Sequence, residues 1–323
     1  MSEPRTTLAP IPVTVVAGFL GAGKTTLINH ILHGDHGLRI AVVVNDFGSI
    51  NIDAELISDV SEGLVSLANG CICCITRSDL ISAVLKLADR ADRLDHIVIE
   101  SSGVADPASV VRTFMQPGVW SDVLLDGVIT VVDAEQVLEG VNDGADLARQ
   151  VAGGDLIVLN KADLVDAPQL TAARERVLQV KPGAQIIEAD YCRVPLEVLL
   201  GVHGRDHRGE GPLSPSDLHS EHDHAFESWS YESSVPLHLQ LLQQLLLHLP
   251  PALVRVKGFV YAADKPHRRH LLQLVGRRAV LSVIGPWGEA PPQTRLVFIA
   301  RSGICSFPAI EKALAACAGG SSD

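Results

Sequence analysis

Positive charge is scarce in this sequence. Its 323 residues carry 26 Lys and Arg against 38 Asp and Glu, a formal net charge of −12. Binding nucleic acid through its phosphates needs a surplus of cations, so that class is excluded. Long apolar runs are lacking too. None approaches the roughly 20 residues that cross a bilayer, so no membrane partner is expected. Met1-Ser2-Glu3-Pro4-Arg5 has neither the basic start nor the apolar stretch of a secretory signal, so the expected location is the cytoplasm. Cysteine is sparse: there are six, and three crowd into Cys71-Ile72-Cys73-Cys74. In a reducing compartment such a cluster points to metal or redox chemistry rather than structural disulfides.

What the chain does have is 47% hydrophobic residues, enough for two cores. Residues 1–200 alternate apolar strands with helical segments, the rhythm of a mostly parallel sheet covered by helices. Strands are expected at Val13–Ala17, Ile40–Val44, His96–Ile99, Gly127–Val132 and Asp155–Leu159, and helices at Lys24–Leu32, Ser78–Ala91 and Gln169–Leu178. Residues 201–225 are rich in Gly, Pro, Ser, Asp and His, with histidines at 203, 207, 219, 222 and 224, and read as a flexible linker. Residues 226–323 mix strands with helices outside the βαβ order, as in a small α+β domain. Strands are expected there at Phe226–Glu232, Leu253–Ala262, Ala279–Val283 and Leu296–Ala300, and helices at Leu237–Leu249 and Phe307–Ala316.

The most informative stretch is Val13 to Thr26. Gly18 and Gly23-Lys24-Thr25 satisfy G-x-x-x-x-G-K-[ST] between a strand and a helix, the pattern of a phosphate-binding loop. Gly18, Gly21 and Gly23 let the backbone wrap closely, so that its N–H groups, with those of Ala22 and Thr26, meet phosphate oxygens. Lys24 is expected to reach the β- and γ-phosphates and Thr25 to ligate Mg²⁺. Glu100, at the end of the strand His96–Ile99, is the second expected Mg²⁺ holder, and Gly103 is expected to offer its N–H to the γ-phosphate. Ser101 or Ser102 in the same turn could equally cap a helix.

Asn160-Lys161-Ala162-Asp163 follows another apolar strand, at the edge where open α/β sheets bind ligands. Asp163 can accept from guanine N1–H and the 2-amino group together. Adenine offers no such donor pair, so the motif selects a guanine nucleotide. Asn160 is expected at the other base edge and the Lys161 stem over its face. Lys181-Pro182-Gly183-Ala184 is open between a further base-contacting loop and a plain turn. The thiolates of Cys71, Cys73 and Cys74 suit a soft transition metal, zinc first, with Co, Fe or Ni as alternatives. Three thiolates leave a closed tetrahedral site one ligand short, which suits transfer. Burial of the cysteines as apolar residues, or a redox role, remain alternatives. Cys192, Cys305 and Cys317 read as packing residues.

Taken together, Gly18–Thr26, Asn45-Asp46-Phe47-Gly48, Asn69-Gly70-Cys71-Ile72-Cys73-Cys74, Glu100-Ser101-Ser102-Gly103 with Asp106-Pro107, and Asn160–Asp163 resemble the CobW-type metallochaperone GTPases. These are relatives of the urease- and hydrogenase-maturation GTPases. The resemblance covers both domains and the His-rich linker. It implies GTP hydrolysis coupled to delivery of a transition metal, often zinc, to a client metalloprotein. It further implies that Lys24, Glu100 and Gly103 serve catalysis, that Asn45–Gly48 is a switch segment, and that Asp46 stands with the three cysteines at the metal. The family usually carries Glu at the position of Asp46; the shorter residue keeps the carboxylate. The alternative function is a regulatory GTP switch whose cysteines sense redox state or pack.

Overall fold

A computed structural model describes residues 9–44, 64–66, 77–89, 94–101, 103, 107–115, 122–139, 144–201 and 225–318. The chain divides into two compact units, Pro10–Leu213 and a second unit formed mainly by Ser214–Asp323.

The first unit is built on strands β1 (Ile11–Gly18), β2 (Ile40–Val44), β3 (Leu64–Ser66), β4 (His96–Glu100), β5 (Val123–Asp133), β6 (Leu156–Asn160) and β7 (Gln185–Ala189). They form one sheet in the order β3-β2-β4-β1-β5-β6-β7, and every neighbouring pair is parallel. Helices α1 (Lys24–His33), α2 (Arg77–Ala88), α3 (Pro107–Phe114), α4 (Ala134–Glu139), α5 (Gly144–Ala152), α6 (Ala167–Val180) and α7 (Leu196–Leu200) connect them. Burial on both faces explains the unbroken apolar runs of β2, β4 and β6. Val13, Val15, Val43, Ile97 and Ile99 pack in one cluster with Val84, Leu87 and Val110. Val132, Ile157, Leu159 and Ile186 pack in another with Ala173 and Val177.

The chain leaves β1 toward β2, whereas β5, on the other side of β1, leads to β6. The strand order therefore reverses beside β1, and the crevice at the carboxyl ends of β1 and β5 is the place for a ligand. Two strands escaped the sequence reading. β3 spans three residues, and β7 carries Gln185 and Glu188 within five. Helix α6 starts two residues earlier than expected because Asp166 and Gln169 form a reciprocal capping box.

The second unit carries β8 (Phe226–Ser233), α8 (Leu239–Leu247), β9 (Leu253–Tyr261), β10 (Arg268–Val275), β11 (Arg278–Pro286), β12 (Thr294–Arg301) and α9 (Phe307–Ala318). Its antiparallel sheet has the order β11-β10-β9-β12-β8. Leu242 of α8 and Ile310, Leu314 and Cys317 of α9 pack on Val256, Val260, Leu272, Leu274, Leu296 and Phe298 of one sheet face. Strand β10 was not expected, since Arg268, Arg269, His270 and Gln273 interrupt its apolar pattern. Among the described residues no helix is long and apolar enough to cross a membrane.

Candidate functional site

Two glycines shape the turn after β1. Gly18 has φ +140°, and a Cβ on it would collide with the Val131 carbonyl of the neighbouring strand. Gly23 has φ +111°, and a Cβ there would lie 2.5 Å from Asn160 Nδ2. Only glycine tolerates both demands. Gly23 is also the N-cap of α1 and makes no side-chain cap bond. The positive end of a ten-residue helix thus begins at a residue that has no side chain with which to cap it.

Lys24 is buried, and its Nζ donates to the Phe19 carbonyl at 3.1 Å, so the ammonium lies across the loop it follows. Thr25 Oγ1 donates to Glu100 Oε1 at 3.5 Å. Register places Glu100 beside Val16, and the Ser101 N–H donates to the Val16 carbonyl at 2.8 Å. The sheet therefore holds the end of β4 against the root of the loop. Thr26 is exposed on the first turn of α1. Gly103 lies against the loop from the other side: a Cβ on it would sit 2.8 Å from Leu20 N. Its carbonyl accepts from Gln150 Nε2 of α5 at 3.3 Å.

Asn160 ends β6 and joins three segments. Its Nδ2 donates to the Ala22 carbonyl at 2.9 Å, and its Oδ1 accepts the Cys192 N–H at 2.8 Å. Lys161 adopts φ +60° and extends its Nζ to Asp133 Oδ2 at 2.6 Å. The buried Asp133 also accepts the Glu135 and Gln136 N–H groups at 2.9 and 3.2 Å, which fixes the start of α4. Asp163 is exposed in the short turn after Lys161, and its carboxylate has no partner among the described residues.

The structure decides one reading that the sequence left open and adds a segment that the sequence did not reveal. Lys181–Ala184 precedes β7 and so lies at the opposite sheet edge. Lys181 Nζ donates to the Gly154 and Ala152 carbonyls, closing the end of α5, and the stretch is a turn. The segment that meets Asn160 instead follows β7, at Asp190–Arg193. There Cys192 is fully buried, as a packing residue should be, and it packs against the loop that starts α1. Its Sγ donates to the Gly23 carbonyl at 3.3 Å, and burial pushes its thiol up to about 12, so it stays protonated as a donor. Tyr191 and Cys192 both have positive φ, at 52° and 56°. Such strained pairs persist where the surroundings over-determine them, often at ligand sites. Finding this loop from sequence required recognising β7, and its polar residues hid it.

The expected zinc ligands Asp46, Cys71, Cys73 and Cys74, the switch segment 45–48, Ser102, Asp106 and linker residues 202–224 lie outside the described residues. Among the described residues no group of three or more His, Cys, Asp or Glu side chains is arranged to hold a metal.

Comparison with known proteins adds to this geometry. Residues 12–188 match the family described as CobW/HypB/UreG, nucleotide-binding domain, and residues 226–318 the cobalamin synthesis protein CobW C-terminal domain. The chain is 36% identical to the zinc chaperone CobW of Pseudomonas aeruginosa, over 92% of this chain and 89% of that one. It is 34% identical to the zinc chaperone YjiA of Escherichia coli, over 90% and 94%. The crystal structure of Zn(II)-bound YjiA GTPase from E. coli covers 96% of this chain and 99% of its own at 27% identity, with a TM-score of 0.47. The two family matches take in Gly18–Thr25, Asn160–Asp163 and the C-terminal sheet alike: the chain belongs to the CobW/HypB/UreG family and is a GTPase.

Proposed function

We propose that this GTPase is a metallochaperone that binds a transition metal, zinc first, and delivers it to a client metalloprotein during GTP hydrolysis in the cytoplasm. The observation that supports its nucleotide half best is the Asn160 bridge, 2.9 Å to the Ala22 carbonyl. It ties the base-reading motif to the phosphate loop, so that one guanine nucleotide spans both.

In this reading Gly18, Gly21, Ala22, Gly23 and Thr26 cradle the phosphates through backbone N–H groups. Lys24 turns from the Phe19 carbonyl to the β- and γ-phosphates, exchanging a neutral acceptor for a charged one. Asp163, exposed, reads the guanine edge, while Lys161, anchored on Asp133, lies along the base. Gly103 turns its N–H toward the γ-phosphate and helps hold the water that attacks it. The donor set at Thr25 and Glu100, one hydroxyl and one carboxylate 3.5 Å apart, consists of hard oxygens and suits Mg²⁺. That ion would neutralise charge developing on the phosphates, and Thr25 and Glu100 would hold it.

The metal cargo is assigned to Cys71, Cys73 and Cys74 with Asp46. Support comes from the soft-ligand chemistry of three thiolates and from the relatives' names as zinc chaperones. The test is a chelator-competition titration of Zn²⁺ with Mg²⁺ plus a non-hydrolysable GTP analogue, then with GDP. The two affinities should differ by about 5–150-fold, the usual size of such coupling. Cys73→Ala/Cys74→Ala should abolish the tight site. Equal zinc affinities in both nucleotide states would leave two independent sites and remove the delivery mechanism.

A further inference from the structure

The C-terminal sheet carries an arrangement that nucleotide and metal chemistry leave unused. Phe259 of β9 pairs in register with Leu271 of β10 and Arg295 of β12, so the three share a face. Arg269 lies two residues from Leu271 on that same face. It is the face opposite the one on which α8 and α9 pack, since Val260, Leu272 and Leu296 alternate with these residues and belong to the helix-covered core. Both guanidinium groups stack on one ring: Arg269 Cζ is 4.7 Å from the Phe259 centroid and Arg295 Cζ 5.7 Å.

Neither guanidinium has an ion pair or side-chain hydrogen bond among the described residues, and Arg269 Nε is buried without a partner. Two carboxylates nearby hydrogen-bond to other groups rather than to the arginines. Glu232, opposite Arg295 in register, accepts from Gln293 Nε2 at 3.5 Å. Asp264 accepts the Leu239 N–H at 3.0 Å. The adjoining hairpin adds the exposed Lys265, His267 and Arg268. Burial and the neighbouring charge of Arg295 both lower the pKa of Arg269, the signature of a cation that lacks an anion.

We infer that Arg269 and Arg295, stacked on Phe259, form a binding site for an oxyanion on the C-terminal domain. A guanidinium that lies over a ring keeps its N–H donors, which the ring does not use, for an anion. Those forked donors match the paired oxygens of a carboxylate or a phosphate. Binding an anion would remove the repulsion between the two arginines and satisfy the buried Nε. The oxyanion could be free phosphate or a carboxylate side chain of an acidic polypeptide.

The test uses the full chain, with its nucleotide site saturated by Mg²⁺ and a non-hydrolysable GTP analogue so that the phosphate loop takes no probe. Inorganic phosphate and polyglutamate are titrated separately by calorimetry in chloride buffer. At least one should bind saturably, and the tighter of the two identifies the source. Arg269→Gln and Arg295→Gln should each weaken binding by about tenfold or more, as loss of a charge-assisted contact does. GTP hydrolysis should stay unchanged. Arg269→Lys and Arg295→Lys keep the charge and lose the fork. They should also bind more weakly, and they serve if the glutamine variants fold poorly. Arg295→Gln without ligand should not lower the melting temperature, since it relieves repulsion. Absence of saturable binding by either probe, or equal affinity in wild type and variants, would overturn the site.

Discussion

Asn160→Ala gives the sharpest test of how the nucleotide site is held together. The side chain is buried and makes two hydrogen bonds, to the Ala22 carbonyl at 2.9 Å and from the Cys192 N–H at 2.8 Å. Truncation strands both partners. A buried polar group left unpaired costs about 1–3 kcal/mol, so two of them give about 2–6 kcal/mol. The lower end applies, because Gly23 beside the Ala22 carbonyl is only half-buried and water can reach in. The expected loss in unfolding free energy of the first domain is therefore about 2 kcal/mol, measured by urea titration without nucleotide. Guanine-nucleotide affinity should fall by about tenfold or more, because the base-reading segment loses its register to the phosphate loop. Asp163→Ala is the control. That carboxylate is exposed and has no partner among the described residues, so stability should stay within about 0.5 kcal/mol while affinity drops. Wild-type stability and affinity in Asn160→Ala, or equal destabilisation by Asp163→Ala, would refute the bridge.

Other substitutions probe separate parts of the molecule. Asp163→Asn should weaken GTP binding and strengthen that of xanthosine triphosphate, since the amide offers a donor where xanthine has a carbonyl; competition binding reads this, and an unchanged guanine preference removes Asp163 from the site. Gly103→Ala places a Cβ where Leu20 N lies 2.8 Å away, so the turn after β4 must shift. Single-turnover hydrolysis should slow by about tenfold or more while GDP affinity stays within a few-fold; an unchanged rate would detach Gly103 from the reaction. His270 is buried on β10, and burial lowers its pKa below 6.5, so the unfolded chain takes up the proton more readily. Its contribution to stability is complete above pH 6.5, is lost as pH falls from there toward the lowered native value, and then levels off. Urea midpoints of wild type and His270→Phe at pH 7.5 and about 5.5 should show a smaller pH dependence in the variant, and parallel curves would contradict this.

Much of this molecule was legible in the sequence because the governing signals are local. Gly18, Gly23 and Lys24 specify a turn and a helix start within a few residues. Apolar runs such as Ile40–Val44 and Leu156–Asn160 announce strands buried on both faces. The four residues Asn160 to Asp163 carry the expectation of a guanine nucleotide in their own side-chain chemistry. Where polar residues break the pattern, as in β7 and β10, local reading failed, because a strand's place in a sheet comes from its neighbours rather than its own alternation.

Tertiary structure alone decided which distant groups meet. Parallel crossovers bring Ala22, Asn160 and Cys192 to one sheet edge, across separations of 138 and 32 residues. Sequence spacing carries no information on such pairings, since each loop's edge depends on strand direction. The same logic sends Lys181–Ala184 to the far edge and Asp190–Arg193 to the near one. In the second domain, strand register sets Arg269 and Arg295 over a single ring. A slip of one residue in β10 or β12 would turn either arginine to the opposite face.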